Sequence, residues 1–160
     1  MQKNNTKKIG VFAGSFDPVT LGHIDIVARA SKMFYELFVV VANNPSKACK
    51  YDLEHRLAML SSSIAHIPNI VVEYCEGLLV DFCKAKNITT IVRGIRNIID
   101  FEYEKSLFEF NYSISNNTID TIFLPCKNSL SHINSTAIRE LLSYNKSVNE
   151  YVPKQIIDML

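Results

Sequence analysis

The sequence predicts an α/β domain in which a mostly parallel, five-stranded sheet is covered by helices on both faces. Two observations carry this. Apolar runs of strand length alternate, almost to the end of the chain, with stretches whose apolar residues recur at helical spacing. The connections are short, so the helices themselves must serve as the crossovers of parallel strands. Such a doubly wound, Rossmann-like arrangement binds ligands at the carboxyl ends of its strands, where the strand order reverses. With 160 residues, 48% hydrophobic, and no internal repeat, linker or low-complexity tract, one domain over residues 1–160 is expected.

The elements follow in order. Residues 1–7 form a polar start, expected to be flexible, with no apolar segment behind it and hence no sign of a signal peptide. Lys7 to Ala13 reads as a buried first strand. The turn Gly14-Ser15-Phe16-Asp17-Pro18-Val19-Thr20-Leu21-Gly22-His23 is punctuated by Gly and Pro, and Gly14 and Gly22 are expected to let backbone approach a ligand. Ile24, Ile26, Val27 and Ala30 then mark one face of a helix with His23 in its opening turn. Glu36 to Asn43 reads as the second strand, and Asp52 as the N-cap of a helix carrying Leu53, Leu57, Leu60 and Ile64. Asn69 to Cys75 alternates as a third strand. A short helix follows through Leu79, Phe82 and Ala85, and Thr89 to Val92 is a short fourth strand. Asp100 is expected to start a long helix whose apolar residues cover more than one stripe, leaving a face for another subunit. Asp120 to Leu124 is a fifth strand, Asn134-Ser135-Thr136 caps the next helix, and Pro153 opens a last short one.

A net charge of +1 gives no global field for nucleic acid or an anionic membrane, and no segment is long and apolar enough to span a bilayer. The four cysteines show no C-x-x-C spacing, which suits free thiols in a reducing cytoplasm. There is no G-x-x-x-x-G-K-[ST] loop, no G-x-G-x-x-G after the first strand, and no G-x-S-x-G elbow. Phosphate-cleaving P-loop chemistry, dinucleotide dehydrogenation and covalent acyl transfer all lose support.

What remains lies just after the strands. Ser15, Thr20 and His23 follow the first, Ser46 and Lys47 the second, Arg93 and Arg96 the fourth, and Lys127 with Ser131 to Thr136 the fifth. Cations and hydroxyls gathered at one rim of a near-neutral molecule suit a compact polyanion, and a helix start adds unpaired N–H groups and partial positive charge. Taken singly, His23 also fits an ordinary helix-start histidine, and Ser135 and Thr136 fit simple caps. Asp17 and Asp100 fit turn and cap roles better than metal ligation, and His55, His66 and His132 fit structural or solvated positions.

Thr20-Leu21-Gly22-His23 resembles the T/H-x-G-H motif of the nucleotidyltransferase superfamily, and Ile133 to Arg139 resembles its I-S-S-T-x-x-R motif. The opening G-S-F-D-P-V-T-x-G-H-I-D-I, Asn44-Pro45-Ser46-Lys47, Arg93-Gly94-Ile95-Arg96 and Asp100-Phe101-Glu102-Tyr103-Glu104 are similar to stretches of the bacterial phosphopantetheine adenylyltransferases. The resemblance runs from about Lys8 to the C-terminus. It implies transfer of AMP from ATP to 4′-phosphopantetheine, with magnesium (Mg2+) on the ATP phosphates, in a cytoplasmic homohexamer; feedback binding of coenzyme A stays open. Relatives of the superfamily that use nicotinamide mononucleotide or glycerol phosphate are the alternative, followed by a nucleotide-binding module without turnover.

Position by position, the resemblance implies His23, Lys47 and Arg93 as the catalytic set, with His23 stabilising the transition state. Ser15, Lys47, Leu79 and Arg93 would contact 4′-phosphopantetheine. Ser15, Phe16, His23, Gly94, Ile95, Arg96, Glu104 and the run Leu130, Ser131, His132, Ile133, Asn134, Ser135 and Thr136 would contact ATP. Three positions depart from the pattern: Leu21 where many members have Asn, Asn134 for the first Ser of I-S-S-T, and Leu130 where some members carry an aromatic.

Overall fold

The computed structural model describes residues 7–42 and 48–160. Its sheet is built from β1 (Ile9–Gly14), β2 (Glu36–Ala42), β3 (Ile70–Cys75), β4 (Thr90–Ile95) and β5 (Asp120–Pro125). The spatial order is β3-β2-β1-β4-β5, with every neighbouring pair parallel. The helices are α1 (Leu21–Ala30), α2 (Leu53–Ile64), α3 (Leu79–Ala85), α4 (Ile98–Ile114) and α5 (Ser135–Ser143), with 3-10 turns at Ser31–Met33, Asn128–Leu130 and Lys154–Met159. Among the described residues, no helix is long and apolar enough to cross a membrane.

The central strands are apolar on both sides because both faces are covered. Their period of two divides the core. Phe12, Val39, Val41 and Val92 face α1, α2 and α5, where they meet Val27, Leu60 and Ile138. Val11, Ala13, Phe38, Val40 and Ile91 face the other side, against Val80, Cys83 and Ile88. Phe101 and Phe108 of α4 pack edge-on against Phe123 of β5, with ring centroids 5.5 and 6.5 Å apart.

Several boundaries differ from the sequence reading. β4 runs on through Arg93, Gly94 and Ile95 because each pairs with β5, opposite Phe123, Leu124 and Pro125. Arg93 is therefore a strand residue. Gly94 also lets α1 come close, since a Cβ there would lie 3.0 Å from Ile26. Helix α4 begins at Ile98, with Asn97 as its N-cap accepting the Asp100 N–H at 2.9 Å, so Asp100 sits in the first turn and does not start the helix. Asp52 and Asn134 cap α2 and α5 as expected. The apolar surplus of α4 is real: Ile98, Ile99, Tyr103 and Phe110 are exposed, and none of its residues is fully buried.

Candidate active site at the carboxyl ends of the strands

The strand order reverses between β1 and β4, and the turn after β1 lies at that point. The turn is held by Phe16, which is fully buried although its φ is +49°. A bulky residue tolerates that left-handed backbone only where packing fixes it. The Phe16 ring lies edge-on to Phe12 at 5.9 Å and to His23 at 5.1 Å. A Cβ at Gly14 would press the Phe16 ring at 3.3 Å, so this glycine makes room for that ring, whereas a Cβ at Gly22 would make only ordinary contact with Thr20.

Thr20 and His23 form a reciprocal cap at the head of α1. The Thr20 hydroxyl accepts the His23 N–H at 3.3 Å, and the Thr20 N–H donates to His23 Nδ1 at 3.1 Å. A donor aimed at Nδ1 requires that nitrogen to be bare, which puts the ring proton on Nε2. Burial, helped by the Arg96 charge, lowers the His23 pKa to about 4. At neutral pH the ring is a neutral Nε2–H donor.

The head of α5 meets the same turn. Ser135 donates its hydroxyl proton to the Pro18 carbonyl at 2.8 Å, and Arg139 donates to the Asp17 carbonyl at 2.6 Å. Asn134 accepts the Ala137 N–H at 2.8 Å, so the departure from Ser at this position keeps a working cap. Capping and the Tyr151 carbonyl satisfy Leu21, His23 and Ala137, which leaves the N–H groups of Gly22, Ser135 and Thr136 without a partner among the described residues. Two helix starts thus converge on one place, each bringing open donors and positive dipole.

The described cations of the rim are each paired with a carboxylate. Arg93 donates from Nε and Nη2 to Glu104 at 2.6 and 2.7 Å and from Nη1 to the Ala13 carbonyl at 2.9 Å. This leaves two of the guanidinium's five N–H groups unused among the described residues. Arg96 forks onto Asp100 at 2.7 and 3.0 Å, and these hydrogen bonds, together with the guanidinium charge, hold that carboxyl below the usual range. Lys127 pairs with Asp25 at 2.7 Å, beside Arg29. Each of these cations meets a carboxylate; for Arg93, which is partly withdrawn from water, the counter-charge offsets the cost of burial, whereas Arg96 and Lys127 are more exposed. The pairing holds the guanidinium planes in place.

The remaining candidates divide. Ile133 is buried under α5, His132 meets Tyr151 edge-on at 6.1 Å, and Ser131 spends its hydroxyl proton on the Asn128 carbonyl at 2.9 Å. Leu130 is half-buried and packs on the core beneath the turn, and the Ile95 carbonyl is taken by the Cys126 N–H at 2.7 Å. Leu79 opens α3, which follows edge strand β3, two places in the sheet from β1. Asn44, Pro45, Ser46 and Lys47 lie outside the described residues.

Three residues to which the sequence reading assigned no substrate contact shape the site. Thr20 fixes His23. Arg56, 4% exposed, donates to the carbonyls of Ser15 at 2.9 Å and Tyr51 at 3.1 Å. Asp17, 2% exposed, accepts the N–H groups of Lys50 and Tyr51, each at 3.0 Å. The T-x-x-H spacing was a legible cap signal; the other two reach across more than thirty positions, Arg56 to Ser15 and Asp17 to Lys50 and Tyr51, and those contacts left no local trace.

Residues 11–141 match the model of the cytidylyltransferase-like family. The chain is 44% identical over 154 residues to a phosphopantetheine adenylyltransferase of Streptococcus uberis, covering 96% of this chain and 92% of that one. It is 42% identical over 151 residues to the protein of the same name from Streptococcus pyogenes, covering 94% and 92%. Among solved structures, it shares its fold with the nicotinic acid mononucleotide adenylyltransferase of Plasmodium falciparum complexed with NaAD. That match has a TM-score of 0.69 at 21% identity and covers 96% of this chain and 94% of that one.

Proposed function

We propose that this chain, which belongs to the phosphopantetheine adenylyltransferases within the cytidylyltransferase-like family, transfers the adenylyl group of ATP to 4′-phosphopantetheine, giving dephospho-coenzyme A and pyrophosphate. The chain is a nucleotidyltransferase by that membership. The observation that carries the finer reading is the convergence of the α1 and α5 heads around His23, at the reversal of the sheet.

A phosphate oxygen of 4′-phosphopantetheine attacks the α-phosphorus of ATP in line with the bond to the β-phosphate. The new P–O bond forms as that one breaks, and pyrophosphate leaves with the electron pair. The nucleophile is ionised at neutral pH, so no general base and no covalent enzyme intermediate are needed. The protein positions two anions and stabilises the charge gathered on the five-coordinate phosphorus. His23 does this through Nε2–H, held in the right tautomer by the Thr20 N–H. A neutral donor suits this role, because a fixed hydrogen bond to a developing charge strengthens as the charge grows.

The Gly22, Ser135 and Thr136 N–H groups sit where ATP phosphates would be cradled. Arg96, Gly94 and Ile95 line the β4 side of the nucleotide, with Ser15 and the Phe16 backbone between the substrates. The two open N–H groups of Arg93 suit the phosphopantetheine phosphate, with Lys47 as its second cation and Leu79 toward the pantetheine arm. Glu104 holds Arg93, so we assign it to that ion pair, and a contact with ATP would share it.

Among the described residues, no group of three or more His, Cys, Asp or Glu side chains is placed to hold a metal. A magnesium ion on the ATP phosphates would neutralise part of their charge. The exposed apolar face of α4 supports subunit contact in a homohexamer. A cytoplasmic location accords with the free cysteines.

A pyrophosphate-release assay with ATP, magnesium and 4′-phosphopantetheine, run beside nicotinamide mononucleotide as acceptor, tests the reading. Release with 4′-phosphopantetheine alone is expected. Release only with the mononucleotide would keep the mechanism and replace the acceptor, and release with neither would point to a nucleotide-binding module.

A further inference from the structure

Asp17 is buried, carries a charge, and contacts neither of the positions where the reacting groups are expected. Its carboxylate joins three segments. Oδ2 accepts the Lys50 N–H and Oδ1 the Tyr51 N–H, both at 3.0 Å, and Arg139 Nη1 stands 3.3 Å from Oδ2. Arg139 in turn reaches both ways. Nη1 donates to the Asp17 carbonyl at 2.6 Å, and Nη2 to the Thr136 hydroxyl at 3.2 Å, at the head of α5. Arg56 closes the far side, tying Ser15 to Tyr51. A bonded path therefore runs from Thr136 through Arg139 and Asp17 to the segment that enters α2. This segment follows directly on the stretch that carries Lys47 in the sequence.

We infer that Asp17, gripped by Arg139, is a positioning residue that sets the nucleotide side of the site, at the head of α5, against the acceptor side, at Lys50–Tyr51. The inference rests on the adenylyl-transfer reading above. The geometry favours this over a purely local role. A turn aspartate needs one or two nearby N–H groups, whereas Asp17 takes its partners from positions 33, 34 and 122 residues away. The charge also matters. Both N–H groups donate to carboxylate oxygens and the guanidinium stands 3.3 Å from Oδ2, so an amide nitrogen in place of either oxygen would set donor against donor.

The test is a double-mutant cycle with Asp17→Asn, Arg139→Met and the pair, reading kcat, the KM of each substrate, and Tm. The expected result is a rise of about tenfold in the KM of both substrates for each single variant, since small misplacements at a two-substrate site cost this much or more. The double variant is expected to be no worse than the poorer single, because both break one path. The telling number is the KM for 4′-phosphopantetheine in Arg139→Met, since Arg139 touches only the turn and α5. A rise in the ATP KM alone would make Arg139 a direct nucleotide contact and overturn the coupling. Additive effects, or a lowered Tm with both KM values unchanged, would overturn it as well. Should Asp17→Asn fail to fold, Arg139→Lys carries the same test, because a single ammonium keeps the charge but lacks the fixed fork with which Nη1 and Nη2 reach Asp17 and Thr136 separately. If the wild-type protein releases no pyrophosphate with these substrates, the functional reading itself has failed. If it does and the variants behave as wild type, only this inference has.

Discussion

The backbone N–H of Thr20 points at Nδ1 of His23 across 3.1 Å, so the cap that starts α1 also decides which ring nitrogen carries the proton. His23→Ala is expected to lower kcat by about two to three orders of magnitude, the usual cost of losing one transition-state donor. Both KM values should stay within about threefold, because the helix heads still bind phosphate. An unchanged kcat would remove His23 from the mechanism. Thr20→Val, which deletes the hydroxyl cap, should cost about 1 kcal/mol and lower Tm by a few degrees.

The buried imidazole also sets a pH dependence. Its pKa is about 4 in the folded protein against an ordinary 6.5, so the unfolded chain takes up a proton between those values that the folded chain does not. Stability should therefore fall as the pH drops from 6.5 toward 4 and be unaffected by this group above 6.5. Thermal melts of wild type and His23→Asn across that window are expected to show a flatter profile for the variant. Parallel profiles would show that the imidazole is not held neutral.

Arg93 and Glu104 make a forked, half-buried pair on facing elements. Arg93→Lys keeps a charge but loses the fork, and should raise the KM for 4′-phosphopantetheine about tenfold with a smaller effect on ATP. Glu104→Ala leaves the guanidinium without its counter-charge and should lower Tm, because stranding one member of such a pair costs more than the pair contributes. Steady-state kinetics with each substrate varied in turn separates the two effects.

The Tyr51 hydroxyl is buried without a hydrogen-bond partner among the described residues. Its ring packs on His55 at 5.0 Å, and His55 is itself fixed to the Met159 carbonyl at 2.6 Å. Removing an unsatisfied polar atom while keeping the ring should help. Tyr51→Phe is expected to stabilise by about 1 kcal/mol and raise Tm by a few degrees. A lower Tm would mean that the hydroxyl has a partner in solution.

Much of the fold was legible where one segment contains its own instructions. The apolar run from Leu37 to Val41 and the helical spacing of Ile26, Val27 and Ala30 are read by periodicity alone, and Asp52 and Asn134 announce helix starts. The end of β4 was not legible, because Arg93, Gly94 and Ile95 look like a loop until β5 pairs with them. The start of α4 was misplaced for a related reason: Asn97 and Asp100 are both capping residues, and the chain has to fold before one is chosen.

For the site, the sequence by itself determined the chemistry on offer: a strand-turn-helix bearing His23, a second capped helix start at Asn134, and arginines after the fourth apolar run. These are local patterns, and their meaning survives without a fold. Only the tertiary structure decided how the charges are spent. Glu104 is paired with Arg93, Asp25 with Lys127, and Asp17 with Arg139, the last across 122 residues of chain. An ion pair between distant elements has no sequence period. It follows from burial and geometry, since a charge withdrawn from water must be met by another, and which one meets it depends on where the sheet brings the strands to an end.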